Sequence, residues 1–165
     1  MKRILSLFIL ITLFGCSHDH FFDFDEIEYY HSDISMEQIS PMYKDENKSE
    51  YAERFLNVVE EDYPNNVDEN FSKILKEIGY KKVTVRKEKY AEINKIFSEQ
   101  TCFSRVETSC IPVYRDILIF KKEKRTIGIA KICFQCLQSH IVGTEKDVFD
   151  FGQCGDFENL KKLLK

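Results

Sequence analysis

Two cysteines three residues apart are the clearest candidates for chemistry in this 165-residue sequence. Cys133-Phe134-Gln135-Cys136 forms a CxxC motif, and in thioredoxin-like sites a helix N-terminus makes the first cysteine of that motif nucleophilic. The following residues, 137–142, are typical of an extended segment and reach Gly143 too soon for a full helix. On a continuing strand, residues three apart point to opposite faces, so these two cysteines would need a turn to bond each other. We therefore do not predict an enzyme, and a thiol–disulfide protein remains the alternative interpretation.

A zinc site is the second chemistry that the cysteines suggest. The thiols in question are those of Cys102, Cys110, Cys133 and Cys136, and His140 lies near enough to replace one of them. The intervening seven, 22 and two residues match no standard zinc module. An oxidising compartment also favours disulfides over zinc. We therefore expect structural disulfides and no cofactor, with a metal-binding protein as a further alternative.

The elements that would position these cysteines form a predicted β-hairpin. Two runs rich in Val, Ile, Tyr and Phe, at about 112–120 and 126–136, flank the charged segment 121–125. That segment contains no Gly, Asn or Asp, so we expect a loop of three to five residues instead of a tight two-residue turn.

The register of this hairpin decides which cysteines meet. An even loop pairs Asp116 with Lys131, whereas an odd loop places Cys110 across from Cys136. A bulge would change either arrangement. We expect Cys110 to bond one member of the Cys133–Cys136 pair.

The N-terminus predicts delivery to a membrane. Residues 1–15 are typical of a signal peptide, with two basic residues followed by an apolar run that is too short to span a bilayer. The sequence Leu-Phe-Gly-Cys ending at Cys16 resembles the lipobox of bacterial lipoproteins. That resemblance implies cleavage before Cys16 and acylation of its thiol. Ser17, by analogy with lipoprotein sorting, favours the outer membrane.

The remaining five cysteines are an odd number, so at least one is free, binds a metal or bonds another chain. We expect Cys154 to be the odd thiol because it lies in a Gly-rich loop away from the hairpin. Residues 16–26 are polar and acidic enough to predict a flexible tether, and residues 27–165 a single globular domain.

Helices complete the predicted fold. Apolar stripes at helical spacing predict helices near 50–63, 67–78 and 87–98, and another at the C-terminus. Short strands are expected at 27–34, as an edge strand, and at 81–85. The predicted class is α+β, in which a small antiparallel sheet centred on the hairpin packs against three to four helices.

Charge and motifs exclude several functions. The formal net charge is −4, and removal of the predicted signal peptide with its two basic residues makes the net charge more negative by two. An acidic chain without a basic cluster is a poor match for a nucleic acid. The sequence also lacks a nucleophile elbow, a phosphate loop and an HExxH motif.

Three segments carry a resemblance that covers roughly the C-terminal half: CIPVYRDILIF at 110–120, ICFQC at 132–136 and FGQCGD at 151–156. They resemble a group of small, uncharacterised lipoproteins from Bacteroidota-type bacteria. The resemblance implies an extracytoplasmic lipoprotein and no catalytic residues. We therefore predict a membrane-anchored, non-enzymatic lipoprotein with a binding or structural role, for which a protein is one class of partner.

Overall fold

The computed structural model describes residues 20–103 and 108–165. The predicted signal peptide at 1–15 and the predicted lipidation residue Cys16 lie outside these ranges. Among the described residues, no helix combines the length and the apolar character that crossing a bilayer would require.

A five-stranded antiparallel sheet forms the centre of the described fold. The strands are β1 (Glu26–His31), β2 (Lys81–Val83), β3 (Asp116–Lys122), β4 (Arg125–Cys133) and β5 (Gln138–Val142). Their order is β2-β1-β3-β4-β5, so the predicted hairpin of β3 and β4 lies within the sheet. The prediction that the first strand is an edge strand is wrong, because β1 pairs with β2 on one side and β3 on the other.

Five α-helices pack against this sheet, which confirms the α+β class. They are α1 (Met36–Lys44), α2 (Glu50–Val59), α3 (Phe71–Glu77), α4 (Tyr90–Ile96) and α5 (Asp156–Leu164), and a 3₁₀ turn, Lys87–Lys89, precedes α4. The Ser49 side chain caps α2 by accepting the Ala52 N–H at 3.2 Å. Helix α1 was not predicted, because it buries only Ile39 and contains Pro41.

The two faces of the sheet are covered by different helices, which gives two hydrophobic clusters. The first contains residues of α2 and α3, including Phe55 and Phe71, packed on Ile117 and Ile119 of β3. The second contains α4, α5 and an N-terminal aromatic segment packed on the alternate β3 residues, such as Leu118. Consecutive residues of β3 therefore point to opposite faces of the sheet, and each face is covered by a different set of helices.

The turn between β3 and β4 is tighter than the sequence predicted. Glu123 and Lys124 form a two-residue turn with φ values of +50° and +69°, although neither is glycine. The Glu123 N–H donates to Asp25 Oδ2 at 2.9 Å, and the Asp25 N–H donates to the Lys121 carbonyl at 2.9 Å. These contacts from the N-terminal segment hold a turn that the local sequence does not favour.

A β-bulge then shifts the register of the hairpin. Phe120 pairs with Gly128 but Lys121 pairs with Thr126, so Ile127 is the extra residue on β4. Beyond the bulge Asp116 pairs with Ile132 and Lys131 with Ile117. The register that would pair Asp116 with Lys131 is therefore not adopted, because the bulge moves these residues by one position and onto opposite faces.

The N-terminal segment is part of the core from residue 20 onward. Phe21 and Phe22 are 6% and 3% exposed, and the Phe22 ring stacks on Phe120 with centroids 4.6 Å apart. A Cβ at Gly128 would lie 2.2 Å from Phe22, so glycine leaves the space that this ring occupies. The prediction of a tether over residues 16–26 is wrong over its described part, because aromatic burial outweighs the polar composition.

Candidate functional site

The structure joins four of the five described cysteines in two disulfides. Cys110 bonds Cys136 with their Cα atoms 5.9 Å apart, which confirms the predicted link from Cys110 to the CxxC pair. Cys102 bonds Cys154 with a Cα separation of 5.8 Å. The prediction that Cys154 is the odd thiol is wrong. The loop that carries Cys154 packs on the Cys102 segment, where the Cys102 N–H donates to Asp150 at 3.3 Å.

The odd thiol among the described residues is Cys133, and it is buried. Strand β4 ends at this residue, and a turn at 134–137 follows before β5 begins. Leu137 has a φ of +50° in this turn. The expectation that the strand continues through the CxxC is therefore wrong, and both of its cysteines lie in one buried cluster with Tyr114.

Cys133 is held close to the backbone of its partner in the motif. The Cys136 N–H donates to Cys133 Sγ at 3.4 Å. Cys133 is 2% exposed and Cys136 is 5% exposed, whereas Cys110 at the other end of the disulfide is exposed. The Cys133 thiol and the Cys110–Cys136 disulfide therefore lie at the same end of the β3–β4 hairpin.

The four-cysteine zinc set is not assembled. Cys102, Cys110 and Cys136 are in disulfides, and His140 is engaged elsewhere, with Nε2 2.8 Å from the Pro64 carbonyl. Within residues 20–103 and 108–165, no three His, Cys, Asp or Glu side chains are grouped to hold a metal ion.

A pocket of about 300 Å³ lies where the β1–β3 end of the sheet meets helix α5. We call it the α5 pocket. It is lined mainly by apolar side-chain surface and a few charged groups, from Tyr29, His31, Val83, Asp116, Phe134, Lys161, Leu164 and Lys165. A second, smaller cavity beside it shares Phe134 and Lys161 and reaches Leu137 and Phe157.

Asp116 is the polar centre of the α5 pocket. It is 8% exposed, and its Oδ1 atom accepts the Tyr29 hydroxyl at 2.6 Å and lies 2.8 Å from His31 Nδ1. Burial and the Asp116 carboxylate together raise the pKa of Tyr29 well above its usual range, so this hydroxyl keeps its proton and remains a donor. His31 Nε2 lies 3.2 Å from Asp33 Oδ1. Each ring nitrogen of His31 therefore lies within hydrogen-bond distance of a carboxylate oxygen.

The sequence interpretation missed this cluster for two reasons. It predicted an edge strand at 27–34, where polar side chains are expected at the surface, and it left the cross-strand partner of Asp116 open between two registers. The alternation of Tyr29 and His31 was nonetheless a visible signal that their side chains share one face. The missing information was that β3 brings Asp116 beside His31, its direct partner in the β1–β3 register.

Lys131 is buried on the opposite face of the sheet with 0% exposure. Its ammonium donates to the carbonyls of Glu61 at 2.5 Å and Tyr63 at 2.8 Å, and it lies 4.4 Å from the centre of the Tyr114 ring. Burial lowers the pKa of Lys131 to about 7, although Asp62 and Glu61 act in the opposite direction. This amine therefore exchanges its proton near neutral pH.

Comparisons of the chain with protein-family models, with curated proteins and with solved structures find no significant match. The α5 pocket and the cysteine cluster are therefore the features from which a function can be inferred.

Proposed function

We propose that this chain is a lipoprotein of the cell envelope, anchored through an acylated Cys16, that binds a small amphipathic anion in the α5 pocket without chemical conversion. The observation that carries the binding proposal is a mainly apolar pocket with two lysines, Lys161 and Lys165, in which the one carboxylate, Asp116, is already paired with Tyr29 and His31. The signal peptide and the lipobox-like sequence before Cys16 support the anchor. The outer membrane is the proposed location because Ser17 follows Cys16.

The walls of the α5 pocket define the ligand class. Val83, Phe134 and Leu164 offer apolar surface to a hydrocarbon or aromatic body. The ammonium groups of Lys161 and Lys165 offer a countercharge to a carboxylate, sulfonate or phosphate. A volume of about 300 Å³ is at the lower end of the range for ligand sites, which favours a small molecule.

The Asp116 cluster supports binding better than catalysis. A general base requires a nitrogen or oxygen free to accept a proton from the substrate, and both nitrogens of His31 already face carboxylates. The Tyr29 hydroxyl donates to Asp116 and is held protonated, so it is a poor nucleophile. These contacts fix the polar end of the pocket in one arrangement, which preorganises it for a ligand.

The binding proposal is tested with 8-anilinonaphthalene-1-sulfonate, which joins an aromatic body to an anion, and with decanoate as competitor. We expect saturable fluorescence that decanoate displaces. The Lys161→Glu variant should weaken binding about tenfold, since reversing a charge near the ligand costs on the order of 1–2 kcal/mol. The matched control is Lys162→Glu, one position along α5, where the side chain lines a different surface groove.

Two results would contradict the binding proposal. One is dye binding that does not saturate or that decanoate does not displace from the natively folded protein. The other is an equal effect of Lys161→Glu and Lys162→Glu, which would indicate general surface charge instead of the α5 pocket.

The anchor is tested independently of the pocket. In a bacterial host fed labelled palmitate, the full chain should carry the label and partition with membranes, whereas Cys16→Ala should lose both properties. An unlabelled wild-type chain would refute the lipoprotein assignment and leave the pocket proposal unaffected.

A further inference from the structure

We infer that Cys133 is a reserve nucleophile for the Cys110–Cys136 disulfide, and that exchange to a Cys133–Cys136 bond releases Cys110 as a reactive surface thiol. This function is distinct from ligand binding in the α5 pocket, because the Cys133 side chain lies on the Lys131 face of β4 whereas Asp116 lies on the opposite face of the sheet, although Phe134, which follows Cys133, lines the pocket. The released Cys110 would react with thiol-reactive groups, including an accessible disulfide of another molecule.

The first requirement for exchange is proximity, and Cys133 lies beside the Cys136 end of the disulfide. The hydrogen bond from the Cys136 N–H places Cys133 Sγ 3.4 Å from the backbone of the residue it would attack. Both side chains belong to one buried cluster with Tyr114. Strand β4 ends at Cys133 and the chain turns at 134–137, so Cys133 and Cys136 are not held on opposite faces of one strand. A disulfide between them requires a Cα separation of about 4.4–6.8 Å.

The exposure of Cys133 and Cys110 decides in which direction the exchange produces a reactive thiol. Before exchange the thiol, Cys133, is 2% exposed and closed to external reagents. After exchange the thiol is Cys110, which lies on the exposed side of the present disulfide. The Cys102–Cys154 disulfide belongs to another part of the fold and is not needed for the reaction.

The surroundings of Cys133 contain a base that can take its proton. Lys131 and Cys133 lie two residues apart on β4, so their side chains share a face of the sheet. Tyr114 contacts the Lys131 ammonium and also belongs to the Cys133 cluster.

Further ionisable groups approach this face from neighbouring elements. His140 is the cross-strand partner of Lys131 on β5, and its Nδ1 lies 3.4 Å from Asp62. Burial raises the pKa of Tyr114, and Asp62 and Glu61, in the segment after α2, raise it further. The same two carboxylates oppose the lowering of the Lys131 pKa by burial. Because burial brings the pKa of Lys131 to about 7, a neutral amine is available near neutral pH.

The reaction balances without an external oxidant or reductant. Cys133 loses its proton to the Lys131 amine, and the thiolate attacks Cys136 Sγ. The Cys133–Cys136 bond forms while the Cys110–Cys136 bond breaks, and Cys110 departs as a thiolate that takes a proton from solvent. One thiol and one disulfide are present before and after the step.

The experiment alkylates the oxidised, natively folded protein with iodoacetamide in the absence of reductant and locates the label by peptide mass. We expect the label on Cys110, together with a peptide pair linked through Cys133 and Cys136. The Cys133→Ser variant should lose all labelling within residues 20–165, since the remaining cysteines described there stay paired. Lys131→Met should slow labelling about tenfold at pH 7 and less at pH 9, as expected for loss of a base.

A second variant tests the geometry directly. Cys110→Ser leaves Cys133 and Cys136 as the only unpaired thiols of the described chain, and glutathione disulfide should convert them to an internal bond, reducing the free-thiol count from two to none. Retention of both thiols in a folded Cys110→Ser protein would overturn the inference. So would wild-type protein in which only Cys133 is labelled, or in which Cys110 is never labelled.

Discussion

The buried amine of Lys131 gives the sharpest prediction about stability, because it makes the free energy of unfolding depend on pH in a defined direction. The perturbation is Lys131→Met, which keeps a long unbranched side chain but removes the titrating group. Both the reference and the variant carry Cys133→Ser, so that the buried Cys133 thiol cannot rearrange the disulfides at alkaline pH. Lys122→Met, at a half-buried lysine on β3, is the matched control.

The magnitude follows from the pKa difference between the folded and unfolded states. Burial lowers the pKa of Lys131 from its ordinary value of 10.5 to about 7, so between these values the unfolded chain binds more protons than the folded one. Stability therefore rises with pH above about 7 and is flat below it. Between pH 7 and 9.5 the reference protein should gain roughly 3 kcal/mol relative to Lys131→Met.

Other titrating groups do not imitate this signal. Burial raises the pKa of Tyr30 to about 12 and that of Tyr80 further, so ionisation of the unfolded tyrosines lowers stability only above about pH 10, and equally in both proteins. Lys131→Met also leaves the carbonyls of Glu61 and Tyr63 without this donor. That cost is independent of pH and does not affect the slope.

The assay is urea denaturation at a series of pH values from 6 to 9.5, followed by near-UV circular dichroism, with the difference in unfolding free energy plotted against pH. Parallel curves for the reference and Lys131→Met would refute the argument, because they would mean that Lys131 stays protonated in the folded state. A pH slope lost equally in Lys122→Met would show that the effect is not specific to the buried amine.

Two further predictions concern packing and cross-linking. Gly128→Ala should lower the free energy of unfolding by about 1–3 kcal/mol, because the new Cβ would lie 2.2 Å from Phe22, and wild-type stability in urea denaturation would contradict this packing. Gly79→Ala, where φ is +97° and no atom lies within 4 Å, is the control for backbone strain without a clash. Removing the Cys102–Cys154 disulfide, which closes a 52-residue separation, should cost about 3–4 kcal/mol in the same assay, and an unchanged midpoint would show that this bond does not constrain the unfolded chain.

The sequence predicted those helices and strands whose apolar pattern can be recognised within a single segment. The stripe that contains Phe55 and Val59 became α2, and the β-branched runs around Ile119 and Ile129 became the central hairpin. Helix α1 was missed because its single buried side chain, Ile39, leaves almost no apolar period to detect. Elements with a broad buried face can be predicted from sequence, whereas those fixed by a few tertiary contacts cannot.

The candidate sites were less predictable because they depend on distant residues. The link from Cys110 to the CxxC pair followed from the hairpin, since both partners belong to it. The Cys102–Cys154 bond joins segments 52 residues apart, and no local pattern indicates that they meet. The burial of Phe22 could not be predicted either, because polar neighbours dominate the composition of its segment.

A single extra residue connects the two sites of this protein. Without the bulge at Ile127, the two-residue turn would pair Asp116 with Lys131, and both would share one face of the sheet as a cross-strand ion pair. With it, Asp116 faces His31 and becomes the polar centre of the α5 pocket, while Lys131 is buried on the other face without a carboxylate directly across the strand. The pocket and the near-neutral amine beside Cys133 are thus two consequences of one register shift. Because a shift of one residue reverses every side chain beyond it, neither site can be derived from strand patterns until the bulge is located.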